Sequence, residues 1–189
     1  MNRLLYLVLM LALVGCSQSN GFDTTMNRAD SIMEACQDDA TVSLAILDSL
    51  RPQLPEMSRA QRMRFHLLYG KAMNKGYVEF TSDSTMKEVA EYYNRHGSDR
   101  EKMTANYLLG CVYRDLGDAP AAMKYLNEAT NYEEADKTSY IMLSHIHGQM
   151  ASLLEEQTLV DNVIQELDIA RHYALLAGDT VEAITLLSL

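Results

Sequence analysis

The sequence predicts an all-α fold, because it has few residues that break helices and because it repeats the signals that begin and end them. Only 9 of its 189 residues are Gly and 3 are Pro, so long helices fit better than many short strands joined by tight turns. The composition, 48% hydrophobic and 22% charged, is that of a folded chain of one or two domains. It excludes a collagen-like or low-complexity chain and argues against an all-β sandwich.

The first 16 residues have the features of a secretion signal. Arg3 precedes an apolar run from Leu4 to Val14, which as a helix extends only about 16 Å, against roughly 30 Å of bilayer hydrocarbon. Leu13-Val14-Gly15-Cys16 then resembles the lipobox of bacterial lipoproteins, in which small residues precede a cysteine that is acylated. The resemblance implies that residues 1–15 are removed and that Cys16 carries the lipid. An ordinary signal peptide with an incidental cysteine is the alternative.

The residues after this cysteine bear on where the protein resides. Residues 16–25 are mostly small and polar, with the first acid only at Asp23, and they indicate a flexible tether between the lipid and the folded part. Ser17 rather than an aspartate follows the cysteine, which by resemblance to lipoprotein sorting fits transfer to the outer membrane. We therefore expect a protein of the cell envelope, anchored to the outer membrane through the lipid on Cys16 and facing the periplasm.

Signals for helix boundaries recur beyond the tether. Ser58-Arg59-Ala60-Gln61 and Ser98-Asp99-Arg100-Glu101 are capping boxes, in which side chains satisfy the unpaired amides at a helix start. Other signals are glycines that fit left-handed helix ends and aspartates that can cap the next helix, at Gly97, Gly117, Gly178, Asp118 and Asp179. The predicted helices lie near 25–36, 40–51, 59–75, 84–96, 99–116, 119–131, 137–156, 160–176 and from 180 onward.

Residues 103–136 carry the spacing of a known helical repeat. A Leu-Gly pair is followed by an aromatic residue, a Gly, an Ala, a large apolar residue and a second Ala, and this spacing resembles the tetratricopeptide repeat (TPR). The small residues fit where the two helices of a pair cross, and the large ones fill the gap beside them. The segment departs from the family at Asn106, where the consensus has Trp, and at Glu134, where it has Pro. The matching residues are Leu109, Gly110, Tyr113, Gly117, Ala122, Leu126 and Ala129.

Weaker copies of the repeat flank this segment. From the positions of Gly70, Gly110 and Ala151, helix pairs recur about every 40 residues instead of the usual roughly 34. Ala90, Ala129 and Ala170 recur at nearly the same interval.

The N-terminal part adds a second resemblance. Residues 29–33 with 43–50, and residues 80–84, resemble TPR lipoproteins common in Bacteroidetes. This resemblance implies that 26–189 form a right-handed superhelix of antiparallel helix pairs, a TPR-like α-solenoid. The helix predicted at 180–189 leaves its apolar face uncovered, whereas a repeat stack needs a polar terminal cap. We therefore expect the chain to be an incomplete part of a longer protein, with docking of this helix on a partner as the alternative.

The sequence carries none of the familiar catalytic signatures, such as a nucleophile elbow, a P-loop, a dinucleotide fingerprint, a zinc-protease motif or an EF-hand. His145 and His147 are two residues apart, which on a helix separates them by about 200°, so they fit no shared metal. Cys36 and Cys111 lie in different helix pairs, which favours burial as small apolar residues over a disulfide. We expect no enzyme activity, no cofactor and no metal.

The charge excludes one class of partner. The net charge is -10, and it becomes -11 when residues 1–15 and Arg3 with them are lost. An acidic protein without a local basic patch repels nucleic-acid phosphates. We therefore expect no binding to nucleic acid.

The repeat also predicts where a ligand would bind. The first helix of each pair lines the concave face of a TPR superhelix, and its residues off the packing stripe point into the groove. The basic side chains among them can clamp a peptide carboxylate or an acidic segment, with ordinary solvated residues as the alternative. Aligned on Gly110, the groove residues are Arg64, Leu67, Lys71, Asn74, Lys75, Thr104, Tyr107, Cys111, Arg114, His145, Ser152 and Glu155.

These observations favour a lipid-anchored interaction module that binds a protein or peptide and performs no chemistry. One alternative is the sensory N-terminal part of a longer membrane-bound regulator. Another is a glycan-capture lipoprotein, since starch-binding outer-membrane lipoproteins are also built on such repeats. The lack of Trp and the presence of only 3 Phe argue against glycan capture, although 11 Tyr keep it open.

Overall fold

A computed structural model of the chain describes residues 21–35, 40–132 and 135–186. Every regular element in these residues is a helix and none is a strand, so the predicted all-α class is confirmed. The lipobox with Cys16, most of the predicted tether, Cys36 and Glu134 lie outside the described residues.

The helices are numbered in chain order. A short 3-10 helix, Arg51–Glu56, separates the second from the third. The predicted boundaries are confirmed to within a few residues at most of the helices. The bounds are α1 at 21–35, α2 at Thr41–Asp48, α3 at Arg59–Lys75, α4 at Ser84–His96, α5 at Asp99–Asp115, α6 at Ala119–Thr130, α7 at Lys137–Glu155, α8 at Val160–Leu176 and α9 at Thr180–Thr185.

The beginning of α1 differs from the prediction. Residues 21–25, which the sequence analysis assigned to the flexible tether, already belong to the helix. Phe22 and Met26 are both buried, and with Ala29 and Met33 they form an apolar stripe at spacings of four, three and four residues. Burial of Phe22 fixes the first turn against the core, so residues 21–25 are not part of a tether.

The capping signals act as predicted at most positions. The Ser58 and Ser98 hydroxyls each accept a hydrogen bond from the amide three residues on, and the side chain of that residue accepts one from the serine's own amide, so both capping boxes are confirmed. Asp118 and Asp179 cap α6 and α9 in the same way, with amide-to-carboxylate distances of 3.0 Å. The prediction for Gly97 is wrong, because its backbone is extended (φ −86°, ψ 159°) and leads directly into the next cap.

Left-handed backbone occurs at regular intervals. Tyr77, Gly117 and Thr158 follow the ends of α3, α5 and α7 with φ between 54° and 75°, and they recur at the interval of the predicted repeat. In each case the amide of the residue that follows donates a hydrogen bond to the carbonyl five residues before it, and this bond closes the helix end. Gly178 ends α8 in the same way, so the predictions for Gly117 and Gly178 are confirmed.

The chain divides into two compact units between Val78 and Glu79, where the sequence predicted one repeat domain over 26–189. Among its described residues, the first unit contains α1, α2, the 3-10 helix and α3. Ser43 on α2 donates a buried hydrogen bond of 2.9 Å to the Ala29 carbonyl on α1. The core draws on the three α-helices and on the two residues that flank the 3-10 helix, with Phe22, Met26, Met33, Leu47, Leu50, Met57, Phe65, Leu68 and Ala72.

The second unit contains α4 to α9, in which each helix packs on the next and α5 also contacts α7. Gly110 lies at the crossing of α5 and α6, where a Cβ would come within 2.8 Å of the Leu126 side chain. Tyr113 stacks on Tyr125 with ring centroids 5.5 Å apart, which fills the gap beside that crossing. The other residues of the repeat motif, Leu109, Ala122, Leu126 and Ala129, are buried.

Asn106 is a polar residue inside the second unit. The side chain is fully buried, and its amide donates to Asn94 at 2.8 Å and to the Lys102 carbonyl at 2.9 Å. Since a buried amide needs partners, these hydrogen bonds satisfy Asn106 and join α4 to α5.

Candidate binding surface

The predicted groove cations of α3 lie against α1. The Lys71 ammonium is 2.7 Å from the Asp30 carboxylate and 3.8 Å from that of Glu34. Lys75 donates to the Met33 carbonyl. Both lysines are half-buried, so their charges are directed to the first unit's own N-terminal helix.

The same arrangement continues toward the start of α3. The Arg64 guanidinium donates to the Asn27 side chain and lies 3.6 Å from the Asp23 carboxylate. Gln61 donates to the same carboxylate at 3.3 Å. Asn74 is half-buried near the end of the helix. Leu67, the last predicted groove residue of α3, is only 7% exposed, so the prediction that it lines an open groove is wrong.

Two matching stripes therefore run along α1 and α3. One stripe is acidic or amide-bearing, and the other is basic or amide-bearing, so the charges of α3 are compensated inside the unit. The apolar side of α1 is buried in the core, which makes this helix an integral part of the unit. An external acidic peptide would have to compete with α1 for these cations. The stripes are Asp23, Asn27, Asp30 and Glu34 on α1, and Gln61, Arg64, Lys71 and Lys75 on α3.

The predicted groove residues of α5 are largely interior. Tyr107 is 7% exposed and Cys111 is 1% exposed, so both are core residues and the prediction that they line an open groove is wrong. Thr104 is half-buried, and its hydroxyl donates to the Arg100 carbonyl at 2.9 Å. The repeat alignment could not show that other side chains cover this face of α5.

Arg114 belongs to a polar network inside the second unit. Its guanidinium donates to the Gln149 side chain on α7 and to the Asp115 carboxylate at 2.7 and 2.9 Å. The other oxygen of Asp115 accepts from the Phe80 amide at 3.0 Å. Arg114 therefore fixes α5 to α7, and little of its donor capacity faces solvent.

The predicted groove residues of α7 are exposed at the surface. This holds for His145, Ser152 and Glu155. His147, by contrast, is half-buried, with its Nδ1 atom 2.6 Å from the Glu166 carboxylate on α8. Its ring stacks on Tyr173 with centroids 5.8 Å apart, so His147 is a packing residue between α7 and α8.

An open groove of about 540 Å³ lies along α8. Ile164 and Ile169 give it an apolar floor, and Asp161 and Asp168 give it negative charge. Ile164 is 55% exposed, which is unusual for a large aliphatic side chain in an α-helix that packs on its neighbours. The complete lining is Asp161, Ile164, Gln165, Asp168, Ile169, His172 and Tyr173.

Exposed apolar side chains are frequent in the part of the chain that contains this groove, from residue 159 to residue 184. Val181 and Ile184 on α9 are 75% and 66% exposed. Apolar side chains that gather on one surface indicate an interaction site, whereas isolated ones need no explanation. The large apolar side chains exposed in this part of the chain are Leu159, Val160, Ile164, Leu175, Leu176, Val181 and Ile184.

The surrounding charge is strongly one-sided. Residues 138–186 contain seven Asp and Glu but a single Lys or Arg, which is Arg171. None of the α8 residues was among the predicted site residues. The signal that could have found them is the scarcity of Lys and Arg after Lys137, where Arg171 is the only one, together with the isoleucines at 164 and 169 near two aspartates.

Cys111 and Asp83 are among the groups whose pKa values are displaced by their surroundings. Burial raises the pKa of the Cys111 thiol to about 11, so this cysteine is protonated and unreactive at neutral pH. Hydrogen bonds from Lys87 and then from the Tyr113 hydroxyl lower the pKa of the Asp83 carboxyl. Both groups serve packing, and neither faces the α8 groove.

Neither a metal centre nor a membrane span is evident in the described part of the chain. No group of three or more His, Cys, Asp and Glu side chains among these residues is arranged to hold a metal ion. Within residues 21–35, 40–132 and 135–186, no helix has both the length and the apolar character needed to cross a bilayer.

Comparison with known proteins adds no family assignment. The chain matches no protein-family model, no curated protein and no solved structure. The resemblance to the TPR family therefore depends on the spacing of the motif within 103–136 and on the regular recurrence of helix pairs along the chain.

Proposed function

We propose that the protein is a non-catalytic interaction module of the bacterial cell envelope, built of TPR-like helix pairs and anchored by a lipid on Cys16. The observation that carries this proposal is the recurrence of one helix-end geometry at Tyr77, Gly117 and Thr158. The intervals between these three positions equal those between the small residues at positions 70, 110 and 151. Such recurrence is expected when one helix-pair unit is repeated.

The surfaces that such a unit exposes favour binding over chemistry. Repeat proteins present broad helix faces for partners, and the second unit has one such face, apolar and acidic, on α8 and α9. The contact between α5 and α7 also agrees with stacked repeats, in which the first helix of one pair lies beside the first helix of the next. These points support a TPR-like scaffold for a protein or peptide partner.

The anchor has its own support in the sequence. The lipobox ends at Cys16, and α1 begins by residue 21, so at most a few residues separate the lipid from the first unit. Five extended residues reach about 17 Å, so the first unit would stay close to the membrane surface. Ser17 favours the outer membrane, and the protein would face the periplasm.

Mass spectrometry of the protein purified from native membranes tests the anchor. We expect a mature chain that begins at Cys16 and carries acyl mass on that residue. The Cys16→Ser variant should leave the outer-membrane fraction, while Cys111→Ser, a matched control at a buried cysteine, should remain there. An unmodified mature chain, or a Cys16→Ser variant that still fractionates with the outer membrane, would contradict the proposal.

Crosslinking in intact cells tests the interaction. The lipidated wild type should yield a reproducible crosslinked partner at its native expression level, and the yield should fall when the lipid is lost in Cys16→Ser. If the wild type yields no partner under conditions that crosslink other envelope proteins, the interaction module is the wrong function.

A further inference from the structure

We propose that the exposed face of α8 and α9 is the docking site for a cationic amphipathic helix of a partner protein. The inference rests on the proposed function, because it names the binding surface of the interaction module and the chemistry of its partner. It differs from the sequence expectation, which placed an acidic ligand on the cations of α3 and α5.

The packing order explains why the occupant would be helical. In the second unit α6 packs on both α5 and α7, so two full-length helices cover it. By contrast, the residues that line the α8 groove recur at spacings of three and four along one face of α8, and Ile164 on that face is 55% exposed. An exposed stripe with this spacing is the kind of surface on which a second helix packs.

The lining supplies the apolar part of the contact. Ile164 and Ile169 face the groove, and Leu175 at the end of α8 is half-exposed beside α9. Val181 and Ile184 continue the exposed apolar surface onto α9. Covering such side chains removes apolar area from water, which is the main favourable contribution to helix docking.

Charge determines which kind of helix fits. Asp161 and Asp168 line the groove, and Arg171 is the only Lys or Arg from residue 138 onward. Arg171 lies 3.3 Å from Asp168 on the same helix, so it compensates one carboxylate and leaves the region strongly acidic. A cationic partner is attracted to such a surface, whereas a second copy of this chain would bring the same acidic face and be repelled.

A defined peptide tests this inference directly. The probe is a fluorescein-labelled peptide of 17 residues, the length of α8, with Leu on one helical face and Lys on the other. Its binding to the full-length lipidated protein in a non-ionic detergent is followed by fluorescence polarisation. We expect saturable binding that weakens as NaCl is raised.

Two matched charge reversals locate the binding site. Asp161→Lys combined with Asp168→Lys should lower the affinity for the peptide by about tenfold, because two attractive charge interactions become repulsive. Glu88→Lys combined with Glu91→Lys changes the net charge equally, but on exposed positions of α4. The affinity of this control variant for the peptide should stay within about twofold of that of the wild type.

A third variant tests the apolar contact. Ile164→Ser removes an exposed apolar side chain of the groove and should lower the affinity for the peptide severalfold. Val78 is also exposed but lies in the first unit, so Val78→Ser should leave the affinity unchanged. Both substitutions are at the surface, and circular dichroism with thermal melting should show that they leave the fold intact.

Several results would overturn the inference. These are an absence of peptide binding, equal weakening by the α4 control, or no effect of Ile164→Ser. If sedimentation shows a dimer that Ile164→Ser dissociates, the occupant is a second copy. None of these results contradicts the proposed function if Cys16 is found acylated and a crosslinked partner is found. If neither the acylation nor a crosslinked partner is found, the proposed function itself is wrong.

Discussion

Two glycines in the second unit show how strongly the repeat depends on single positions. Gly110 lies where α5 meets α6, and an added Cβ would be 2.8 Å from Leu126 side-chain atoms and 3.2 Å from its backbone nitrogen. We expect Gly110→Ala to lower the free energy of unfolding by about 1–2 kcal/mol, because overpacking outweighs the better helix propensity of Ala. Chemical denaturation measures this change.

Gly148 is the matched control for that prediction. It also lies inside a helix, but a Cβ there would meet no atom within 4 Å. Gly148→Ala should therefore stabilise the protein by up to about 1 kcal/mol through helix propensity alone. Equal effects of the two substitutions would show that Gly110 does not mark a close crossing.

Two buried serines differ in whether their hydroxyls are paired. The Ser43 hydroxyl donates to the Ala29 carbonyl, while the Ser144 hydroxyl on α7 has no hydrogen-bond partner among the described residues. We expect Ser144→Ala to raise the free energy of unfolding by about 1 kcal/mol, because an unpaired buried hydroxyl is removed. Ser43→Ala should lower it by a similar amount. Destabilisation by Ser144→Ala would contradict the assigned packing of α7.

The buried thiol of Cys111 gives a pH-dependent prediction. Its pKa is about 11 in the folded protein, against roughly 8.5 for an unperturbed thiol, so folding favours the protonated form. The stability from this group is therefore fully present below about pH 8 and is lost as the pH rises through 11.

Alkylation tests that prediction in a variant in which Ser replaces Cys16 and Cys36, so that Cys111 is the only thiol. At pH 8 iodoacetamide should modify Cys111 far more slowly in the native protein than in denaturant, because reaction needs an exposed thiolate. Native and denatured rates that are equal would show that the thiol is accessible and that its pKa is not raised.

At the scale of the helices, the docking of α1 on α3 is the least expected feature. The Lys71 ammonium of α3 lies 2.7 Å from the Asp30 carboxylate of α1, and each of the two side chains is 30% exposed. A double-mutant cycle with Asp30→Ala and Lys71→Ala should give a coupling energy of about 0.5–1 kcal/mol, since the pair is partly desolvated. Thermal or chemical unfolding of the four proteins provides the values.

The pair formed by Asp48 and Arg51 is the control. It is about half-exposed and joins residues three apart, so its coupling should be near zero to about 0.5 kcal/mol. A coupling at Asp30 and Lys71 no larger than this would mean that the charged stripes do not hold α1 in place.

Most of the helices were predictable because their ends carry local chemistry. Ser58, Ser98 and Asp118 cap through neighbouring amides, and a sequence shows such partners directly. The left-handed residues Tyr77 and Thr158 were not predictable, because without Gly nothing in their side chains indicates that backbone. They occupy the positions equivalent to Gly117 and are held there by the helix ends around them.

The candidate site was less predictable, because whether its side chains are exposed or paired depends on contacts between residues that are far apart in the sequence. The repeat alignment identified Arg64, Lys71 and Lys75 as neighbours on one helix, which is a local property. Their partners lie on α1, far away along the chain, and could not be paired with them from spacing alone. The burial of Tyr107 likewise follows from packing that no local pattern encodes.

At the scale of the whole molecule, charge is distributed unevenly along the chain. Residues 17–78 carry seven basic and seven acidic residues, whereas 79–189 carry eight basic and 19 acidic. The entire net charge of residues 17–189 therefore belongs to the second unit.

This uneven charge predicts how stability responds to salt. Raising NaCl from about 0.01 M to about 0.15 M should raise the melting temperature, because screening relieves repulsion among the acids of the second unit. Differential scanning calorimetry measures the shift. A fall in melting temperature would show that ion pairs such as Lys71 with Asp30 contribute more than the repulsion does.

The most direct test of the account is site-specific photocrosslinking in the native envelope. A photoreactive amino acid placed at Ile164 should give a discrete adduct with one partner protein, because this position lies in the α8 groove. The same amino acid at Glu88, exposed on α4, should give none. An absence of adducts at Ile164, or identical adducts at both positions, would contradict an interaction module that binds through α8 and α9.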